Sequence, residues 1–213
     1  MEMKVERQQI IDYCQKIAEK KLTPGTSGNI SILNKEKELI AISPSGIDYF
    51  SLKPQDIVLL NLNGDVIDGR RKPSSEKEMH IELYRNRKDI NTVIHTHSIF
   101  STIFACLRKP IPPVHYIIGI AGKEIPCCDY ATFGTRELAK KAVTSLKNNN
   151  SVLLANHGLL VVGNGIENTF NILENVEYTA EIYYRTLSIG DPIILSQKEM
   201  QLILEKFKSY GQK

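Results

Sequence analysis

Two histidines, His95 and His97, lie in the apolar run TVIHTHSIF at residues 92–100. The β-branched and apolar residues of this run predict a strand, in which alternate side chains share a face, so both imidazoles point the same way. Imidazoles placed like this can converge on one metal ion, at about 2.0–2.1 Å from each nitrogen in the case of zinc. The alternative is a polar strand end with two unrelated histidines, which a short motif alone does not exclude.

A third histidine, His157, follows the apolar stretch SVLLA and precedes Gly158, whose missing side chain lets a backbone or a ligand approach closely. Taken alone, His157 is typical of an ordinary turn. Three histidines at strand ends, however, match catalytic zinc, which commonly takes three protein ligands and leaves one position for water or substrate. His80, within a predicted helix, and His115, in a proline-rich stretch, are weaker candidates.

The stretch KPSSEKEMH leads into a helix predicted at about residues 75–88. Ser75 and Glu78 have the spacing of a capping box, which is the structural interpretation. The functional interpretation is anion binding, because a helix N-terminus offers free N–H groups and partial positive charge, and the hydroxyls of Ser74 and Ser75 can bond phosphate oxygens. Glu76 suits the first turn of a helix and is equally able to reach a metal or to serve as a base.

Two loops, PGTSGNIS and ISPSGIDY, place glycine beside serine, threonine or asparagine. Such loops can present backbone N–H groups and hydroxyls to an oxyanion. Neither loop has the Walker spacing or the strand–glycine–helix order of a dinucleotide fold. Taken alone, each is typical of a plain turn.

The composition is that of an ordinary soluble globular protein, since 42% of the 213 residues are hydrophobic and 24% are charged, which excludes wholesale disorder. The net charge of +3 is too small to indicate nucleic-acid binding. No apolar run approaches the ~18 residues of a membrane span, and the N-terminus lacks the apolar stretch of a signal peptide. We therefore expect a cytoplasmic protein with neither a membrane nor a nucleic-acid partner.

The four cysteines, Cys14, Cys106, Cys127 and Cys128, form no CxxC pair, and two of them are adjacent. This spacing makes a poor disulfide framework and a poor thiolate metal site. Reduced thiols are the simpler account. Any metal is therefore expected on nitrogen and oxygen ligands.

The elements that must position these residues are predicted to form one α/β domain over residues 1–213. Helices are predicted at about residues 4–21, 75–88, 99–107, 135–148, 166–188 and 197–208. Short strands are predicted at about 29–34, 38–43, 57–62 and 65–68, in the histidine run, and in SVLLA and HGLLVVG. Strands this close together along the chain pair antiparallel. We expect a mixed, mainly antiparallel central sheet flanked by helices.

Eight motifs occur in a particular order: GTSGNIS, SPSGI, KPSSEKEMH, VIHTHS, HYIIGIAG, DYATFGTRELA, NHGLLV and LEKFKSYG. Together they resemble the class II sugar-phosphate aldolase and epimerase family, over nearly the whole chain. The middle and C-terminal motifs are more specific than the glycine loops. The resemblance implies a class II aldolase/adducin-like fold and a cyclic homotetramer with active sites between subunits.

The resemblance also implies a site with one Zn²⁺ per subunit. Its metal ligands are histidine and glutamate side chains: His95, His97, His157 and Glu76. Its phosphate-binding residues come from the two glycine loops and the double serine: Thr26, Asn29, Ser45, Gly46, Ser74 and Ser75. Glu76 and Tyr116 are the implied catalytic residues, with Tyr116 donating a proton from a neighbouring subunit. Phe133 and Tyr210 are implied to line an aldehyde pocket.

The implied reaction is reversible aldol cleavage of L-fuculose 1-phosphate, or a related ketose 1-phosphate, to dihydroxyacetone phosphate and L-lactaldehyde. Zinc would stabilise the negative charge that develops on the substrate. Two other chemistries of the family stay open, namely dehydration of methylthioribulose 1-phosphate and 4-epimerisation of ribulose 5-phosphate. SSE rather than SSD at the double serine, and the short spacing from His97 to His157, favour the aldolase over the epimerase. A zinc-stabilised binding module without catalysis is the non-enzyme alternative.

Overall fold

The structure is a computed structural model that describes residues 1–207 of the chain. Its strands, β1 to β8 in chain order, are Asn29–Asn34, Leu39–Ile42, Val58–Asn61, Val66–Asp68, Thr92–Thr96, Cys127–Cys128, Ser151–Leu154 and Gly158–Gly163. Its α-helices, α1 to α6, are Lys4–Glu19, Lys77–Asn86, Ile99–Leu107, Arg136–Leu146, Ile166–Leu187 and Gln197–Phe207. Short 3₁₀ helices occupy Tyr49–Ser51, Pro54–Asp56 and Tyr116–Ile120.

The eight strands form one sheet in the order β4-β3-β2-β1-β5-β8-β7-β6. Every neighbouring pair is antiparallel except β6 and β7, which run parallel. The first four strands form a meander. The β1–β2 turn (residues 35–38) and the β3–β4 turn (residues 62–65) are too short for a crossover connection, whereas the longer β2–β3 connection holds two of the 3₁₀ helices. The prediction of a mixed, mainly antiparallel sheet in an α/β fold is therefore confirmed.

The sheet separates two apolar layers, because alternate residues of each strand face opposite sides. One layer holds Leu60, Val93 and Leu160 against α2 and α4. The other layer packs against α1, α3 and α5. His95 pairs in register with Leu160, so its side chain lies on the same face of the sheet as α2.

The predicted element boundaries hold to within a few residues, with one exception of chemical interest. The predicted capping box of Ser75 and Glu78 is wrong, since α2 begins at Lys77 and Glu76 is its N-cap residue. Ser74 organises this turn instead: its hydroxyl accepts from the Glu76 N–H at 3.2 Å, and its carbonyl accepts from the Lys77 N–H at 3.1 Å. The side chain of Ser75 is therefore not used for capping.

The one-domain interpretation of residues 1–213 stays a prediction for the chain as a whole, because residues 208–213 lie outside the described part. Tyr210, predicted to line the aldehyde pocket, is among them.

Candidate active site

Three imidazoles meet at one end of the central strands. His95 is on β5, His97 lies just beyond its end at Thr96, and His157 is in the turn between β7 and β8. Their ring centroids are 4.7–5.0 Å apart. One nitrogen from each ring lies within 4.8 Å of the others. The structure thus brings together the three histidines that the sequence analysis singled out.

The antiparallel pairing of β5 with β8 explains this meeting, because it sets the β7–β8 turn beside the end of β5. Gly158 allows the close approach. A Cβ added there would lie 2.8 Å from the His97 ring and would collide with the carbonyl oxygen of Thr96. After His97 in the chain, the N–H groups of Phe100 and Ser101 in the first turn of α3 donate to Glu177 of α5, which holds the start of α3 in place.

All three imidazoles are neutral at ordinary pH. Burial and the neighbouring His97 lower the pKa of His95 to about 3. Burial lowers the pKa of His97, and burial together with His95 lowers that of His157 to about 4. His95 Nδ1 donates to the carbonyl oxygen of Leu159 at 2.9 Å, so its Nε2 lone pair is directed toward the other two rings.

Glu76 completes the cluster from the N-terminus of α2. Its Oε2 lies 3.2 Å from His95 Nε2, and its Oε1 lies 3.5 Å from His157 Nε2. Asn29 Nδ2 donates to Oε2 at 2.9 Å. Glu76 is buried, yet within residues 1–207 its Oε1 has no hydrogen-bond partner. A buried carboxylate oxygen without a donor is costly, and such atoms commonly face a ligand or an ion.

These residues fit a metal ion of the zinc type. His95 Nε2 and His97 Nε2 are 3.0 Å apart, although burial disfavours the protonated form of both rings. Neutral imidazoles with converging lone pairs are the ligand set that zinc prefers. The unpartnered Oε1 of Glu76 adds a carboxylate oxygen beside them. The His95–His97–His157 cluster could therefore bind a metal, with Glu76 at its edge.

A pocket of about 430 Å³ opens directly above the cluster. The pocket is lined by Glu76 and by nine other predicted site residues: Thr26, Asn29, Ser45, Gly46, Ser74, Ser75, His97, Phe133 and His157. His95 is fully buried beneath it.

Two loops form the wall of the pocket on the side of the double serine. The Ser74 N–H donates to the Ser43 carbonyl at 3.1 Å, and the Ser45 N–H donates to the Lys72 carbonyl at 3.1 Å. Gly46 has φ +69°, a backbone conformation that favours glycine. The exposed side chains of Ser45 and Ser75 face this opening. The wall therefore offers hydroxyls and a helix N-terminus to an anion.

Tyr116 is not brought to this pocket. It begins the 3₁₀ helix Tyr116–Ile120, is 54% exposed, and stacks at 6.4 Å between centroids on Phe207. The sequence analysis expected Tyr116 to act in a neighbouring subunit, and this exposed position is compatible with that expectation.

The structure adds pocket residues that the sequence analysis did not single out. Tyr130 and Asn156 line the pocket near Phe133. Asn156 adopts a left-handed conformation with φ 54°, and its Oδ1 accepts from Arg108 Nε at 2.8 Å. The Arg108 guanidinium lies 5.8 Å from the Tyr130 ring centroid. Both residues lie within motifs that the sequence showed, Tyr130 in DYATFGT and Asn156 in NHG, but only folding shows that Arg108 reaches them.

No helix within residues 1–207 is both long and apolar enough to cross a membrane.

Known proteins share this sequence and fold. The family described as the class II aldolase and adducin N-terminal domain matches residues 8–184. A 5-deoxy-D-ribulose 1-phosphate aldolase of Bacillus thuringiensis serovar kurstaki is 48% identical over 212 residues, covering 100% of both chains. An L-fuculose phosphate aldolase of Escherichia coli O6:H1 is 42% identical over 205 residues, covering 95% of this chain and 94% of its own. A solved L-fuculose 1-phosphate aldolase superposes with a TM-score of 0.96 at 47% identity, covering 98% of each chain.

Proposed function

The chain belongs to the class II aldolase family, and from this we propose that it is a zinc-dependent lyase that cleaves a ketose 1-phosphate to dihydroxyacetone phosphate and a short aldehyde. The observation that carries the proposal is the convergence of three neutral imidazoles and a buried carboxylate beneath a pocket with a hydroxyl-lined wall. The Bacillus thuringiensis relative and the solved neighbour are named as aldolases of sugar 1-phosphates, and the Escherichia coli relative as an L-fuculose phosphate aldolase, which supports the same chemistry.

Zinc bound by His95, His97 and His157 would supply Lewis acidity next to the substrate carbonyl. The phosphate is assigned to the wall built by Ser45, Gly46, Ser74 and Ser75, with Thr26 and Asn29 beside it. Anchoring the phosphate there holds the sugar carbons over the histidine cluster and aligns the bond that breaks.

Glu76 is proposed to move the proton at one carbon of the substrate. This is the carbon of the dihydroxyacetone phosphate half at which the carbon–carbon bond breaks. The Oε1 of Glu76 suits this role, because it faces the cluster without a hydrogen bond from any of residues 1–207. Tyr116 of a neighbouring subunit is proposed to exchange a proton with the aldehyde oxygen. This assignment requires an oligomer, and we propose a homotetramer in which Phe133 and Tyr210 contribute to the aldehyde pocket.

For the substrate we commit to 5-deoxyribulose 1-phosphate in place of the L-fuculose 1-phosphate expected from the sequence. The support is that the relative named for 5-deoxy-D-ribulose 1-phosphate is 48% identical over the whole chain, against 42% for the Escherichia coli L-fuculose phosphate aldolase and 47% for the solved L-fuculose 1-phosphate aldolase. Both substrates contain the dihydroxyacetone phosphate half, and they release acetaldehyde and L-lactaldehyde respectively. L-Fuculose 1-phosphate remains the alternative, because a solved enzyme of that name has a TM-score of 0.96.

The test is a panel of four sugar phosphates on the zinc-loaded protein: 5-deoxyribulose 1-phosphate, L-fuculose 1-phosphate, ribulose 5-phosphate and methylthioribulose 1-phosphate. Dihydroxyacetone phosphate is detected by coupled reduction, and other products by NMR. We expect dihydroxyacetone phosphate from both deoxy-ketose 1-phosphates, with the higher kcat/KM on 5-deoxyribulose 1-phosphate.

Three results would overturn the proposal. Loss of water from methylthioribulose 1-phosphate without carbon–carbon cleavage, as the only reaction, indicates a dehydratase. Epimerisation of ribulose 5-phosphate alone indicates an epimerase. No turnover of any of the four, with unfolding when zinc is removed, indicates a binding module whose metal is structural.

A further inference from the structure

Behind Glu76, a ladder of buried polar side chains connects α2 to β1. Glu76 at the N-cap of α2, and His80 and Tyr84 within α2, follow one another at intervals of four residues, so they lie along one side of the helix. On β1, Asn29 and Ser31 share the face that packs against them. All five side chains are buried, and none of the five is more than 6% exposed.

The contacts of the ladder alternate between helix and strand. Ser31 Oγ lies 2.7 Å from His80 Nδ1 and 2.7 Å from the Tyr84 hydroxyl. His80 Nε2 lies 2.5 Å from Asn29 Oδ1. Asn29 Nδ2 donates to Glu76 Oε2 at 2.9 Å. The ladder therefore runs without a gap from Ser31 to the carboxylate at the edge of the histidine cluster.

The direction of each hydrogen bond follows from the carboxylate end. Glu76 as a carboxylate only accepts, so the Asn29 amide must turn its NH₂ toward Glu76 and its oxygen toward His80. His80 must then carry its proton on Nε2, which leaves Nδ1 to accept from the Ser31 hydroxyl. Burial lowers the pKa of His80 to about 3, so the ring is neutral and holds one proton. A single tautomer of His80 satisfies its contacts with both Asn29 and Ser31.

We propose that His80 is a positioning residue for the aldol reaction: its Nε2–H fixes the Asn29 amide, and Asn29 in turn fixes the Glu76 carboxylate so that Oε1 stays free to carry the proton. This inference rests on the role proposed above for Glu76. Without the Nε2–H of His80, nothing on that side holds the orientation of the Asn29 amide. If the amide flips, its Oδ1 faces the Glu76 carboxylate and repels it. If His80 were only a well hydrogen-bonded core residue, replacing it would lower the stability of the protein alone. If His80 positions Glu76 through Asn29, replacing it also slows the chemical step.

The first test measures the tautomer itself. Nitrogen–proton correlation NMR on the full chain with isotope-labelled histidine distinguishes a protonated from a bare ring nitrogen, and the signals of His80 are those that disappear in His80→Gln. We expect a protonated Nε2 and a bare Nδ1. A protonated Nδ1 on His80 would overturn the inference, and this readout is independent of any catalytic activity.

The second test compares two replacements of His80 in the zinc-loaded enzyme. His80→Gln keeps an amide N–H that can reach Asn29, while His80→Leu keeps bulk but offers no donor. We expect kcat to fall by about 10- to 100-fold in His80→Leu, the usual range for partners behind a metal-site ligand, and to recover in large part in His80→Gln. KM should change less than kcat, because Ser45, Ser74 and Ser75 still face the phosphate.

The matched control is Leu83→Ala, which truncates a fully buried side chain on the same helix outside the ladder. It should lower the thermal midpoint at least as much as His80→Leu while leaving kcat near that of the wild type.

Equal kcat values in His80→Leu and the wild type would contradict the inference, as would equal losses in His80→Leu and His80→Gln. Should His80→Leu fail to fold, the tautomer measurement decides. If the wild type cleaves none of the sugar phosphates but His80 has the expected tautomer, the proposed function is wrong while the hydrogen-bond order of the ladder still holds.

Discussion

Glu76 holds its two carboxylate oxygens in different surroundings. Oε2 accepts from Asn29, while Oε1 faces the histidines without a donor among residues 1–207. A group with one anchored and one free oxygen is suited to moving a proton repeatedly between the same two positions. If Glu76 served only as a carboxylate at a helix N-terminus, it would contribute about 0.3–1 kcal/mol of stability and nothing to the rate.

We expect Glu76→Gln to fold normally and to lose about 10²- to 10⁴-fold in kcat, because glutamine has the same shape but cannot exchange the proton. Steady-state kinetics and a thermal melt on the zinc-loaded protein measure the two effects. Glu78→Gln is the control, since Glu78 is a carboxylate in the first turn of the same helix and pairs with Arg136. A near-normal rate in Glu76→Gln would assign Glu76 to the helix terminus alone.

His97 is a suitable residue for testing the metal site, because it lines the pocket, as His157 does, whereas His95 lies buried beneath it. Elemental analysis should find about one zinc per chain in the wild type, as expected for a catalytic site, and His97→Ala should lose most of it. His115→Ala is the control, since His115 lies outside the cluster. Zinc content unchanged in His97→Ala would remove His97 from the ligand set.

At the scale of elements, the β7–β8 turn and the end of β5 determine whether the histidines can meet. Gly158 lies where these two segments touch, and a methyl group there has no room beside Thr96 and His97. The packing of this turn therefore constrains the positions of the histidines in the cluster.

We expect Gly158→Ala to lower stability by about 1–3 kcal/mol, the usual cost of overpacking a filled interior, and to weaken zinc binding because His97 must move. Denaturant unfolding and competition with a zinc chelator measure these two quantities. Gly190→Ala is the matched control, since a methyl group at Gly190 meets nothing within 4 Å. Wild-type zinc affinity in Gly158→Ala would show that the cluster tolerates a wider β7–β8 turn.

At the scale of the whole molecule, the proposed active site is incomplete within one chain, because Tyr116 is exposed away from the pocket. If Tyr116 acts on a neighbouring subunit, two inactive variants can restore each other. Each variant keeps the residue that the other lacks. A site is therefore complete when its Glu76 belongs to a Tyr116→Phe subunit and its Tyr116 belongs to a neighbouring Glu76→Gln subunit.

We therefore expect mixed oligomers of Tyr116→Phe and Glu76→Gln, formed by co-expression, to regain about a quarter of wild-type activity when the subunits mix evenly around a ring. Activity is measured after separating mixed from pure oligomers by different affinity tags. The control is the same two variants combined after folding, without exchange. Activity no higher in the mixed oligomer than in the separate variants would place Tyr116 in its own subunit's site or outside the chemistry.

The sequence by itself predicted a mixed, mainly antiparallel sheet and singled out the three histidines that the structure brings together. Short turns leave antiparallel pairing as the available arrangement for β1 with β2 and for β3 with β4, whereas the pairing of β2 with β3 across residues 43–57 was not determined by turn length. His95, His97 and His157 stood out because imidazoles are unusual at the ends of apolar strands. Glu76 and the double serine stood out because they begin a predicted helix whose N-terminus suits an anion, and the family resemblance implied their roles in the site.

Only the tertiary structure decided which partner each side chain meets. The sequence analysis set His80 aside as a helix residue, yet the docking of α2 on β1 places it between Ser31 and Asn29, behind Glu76. Arg108 reaches Asn156 across 48 residues of chain for the same reason. Local pattern determines the face on which a residue lies, whereas the partner across that face depends on how separate elements dock. The spacing of residues within either element does not contain that information.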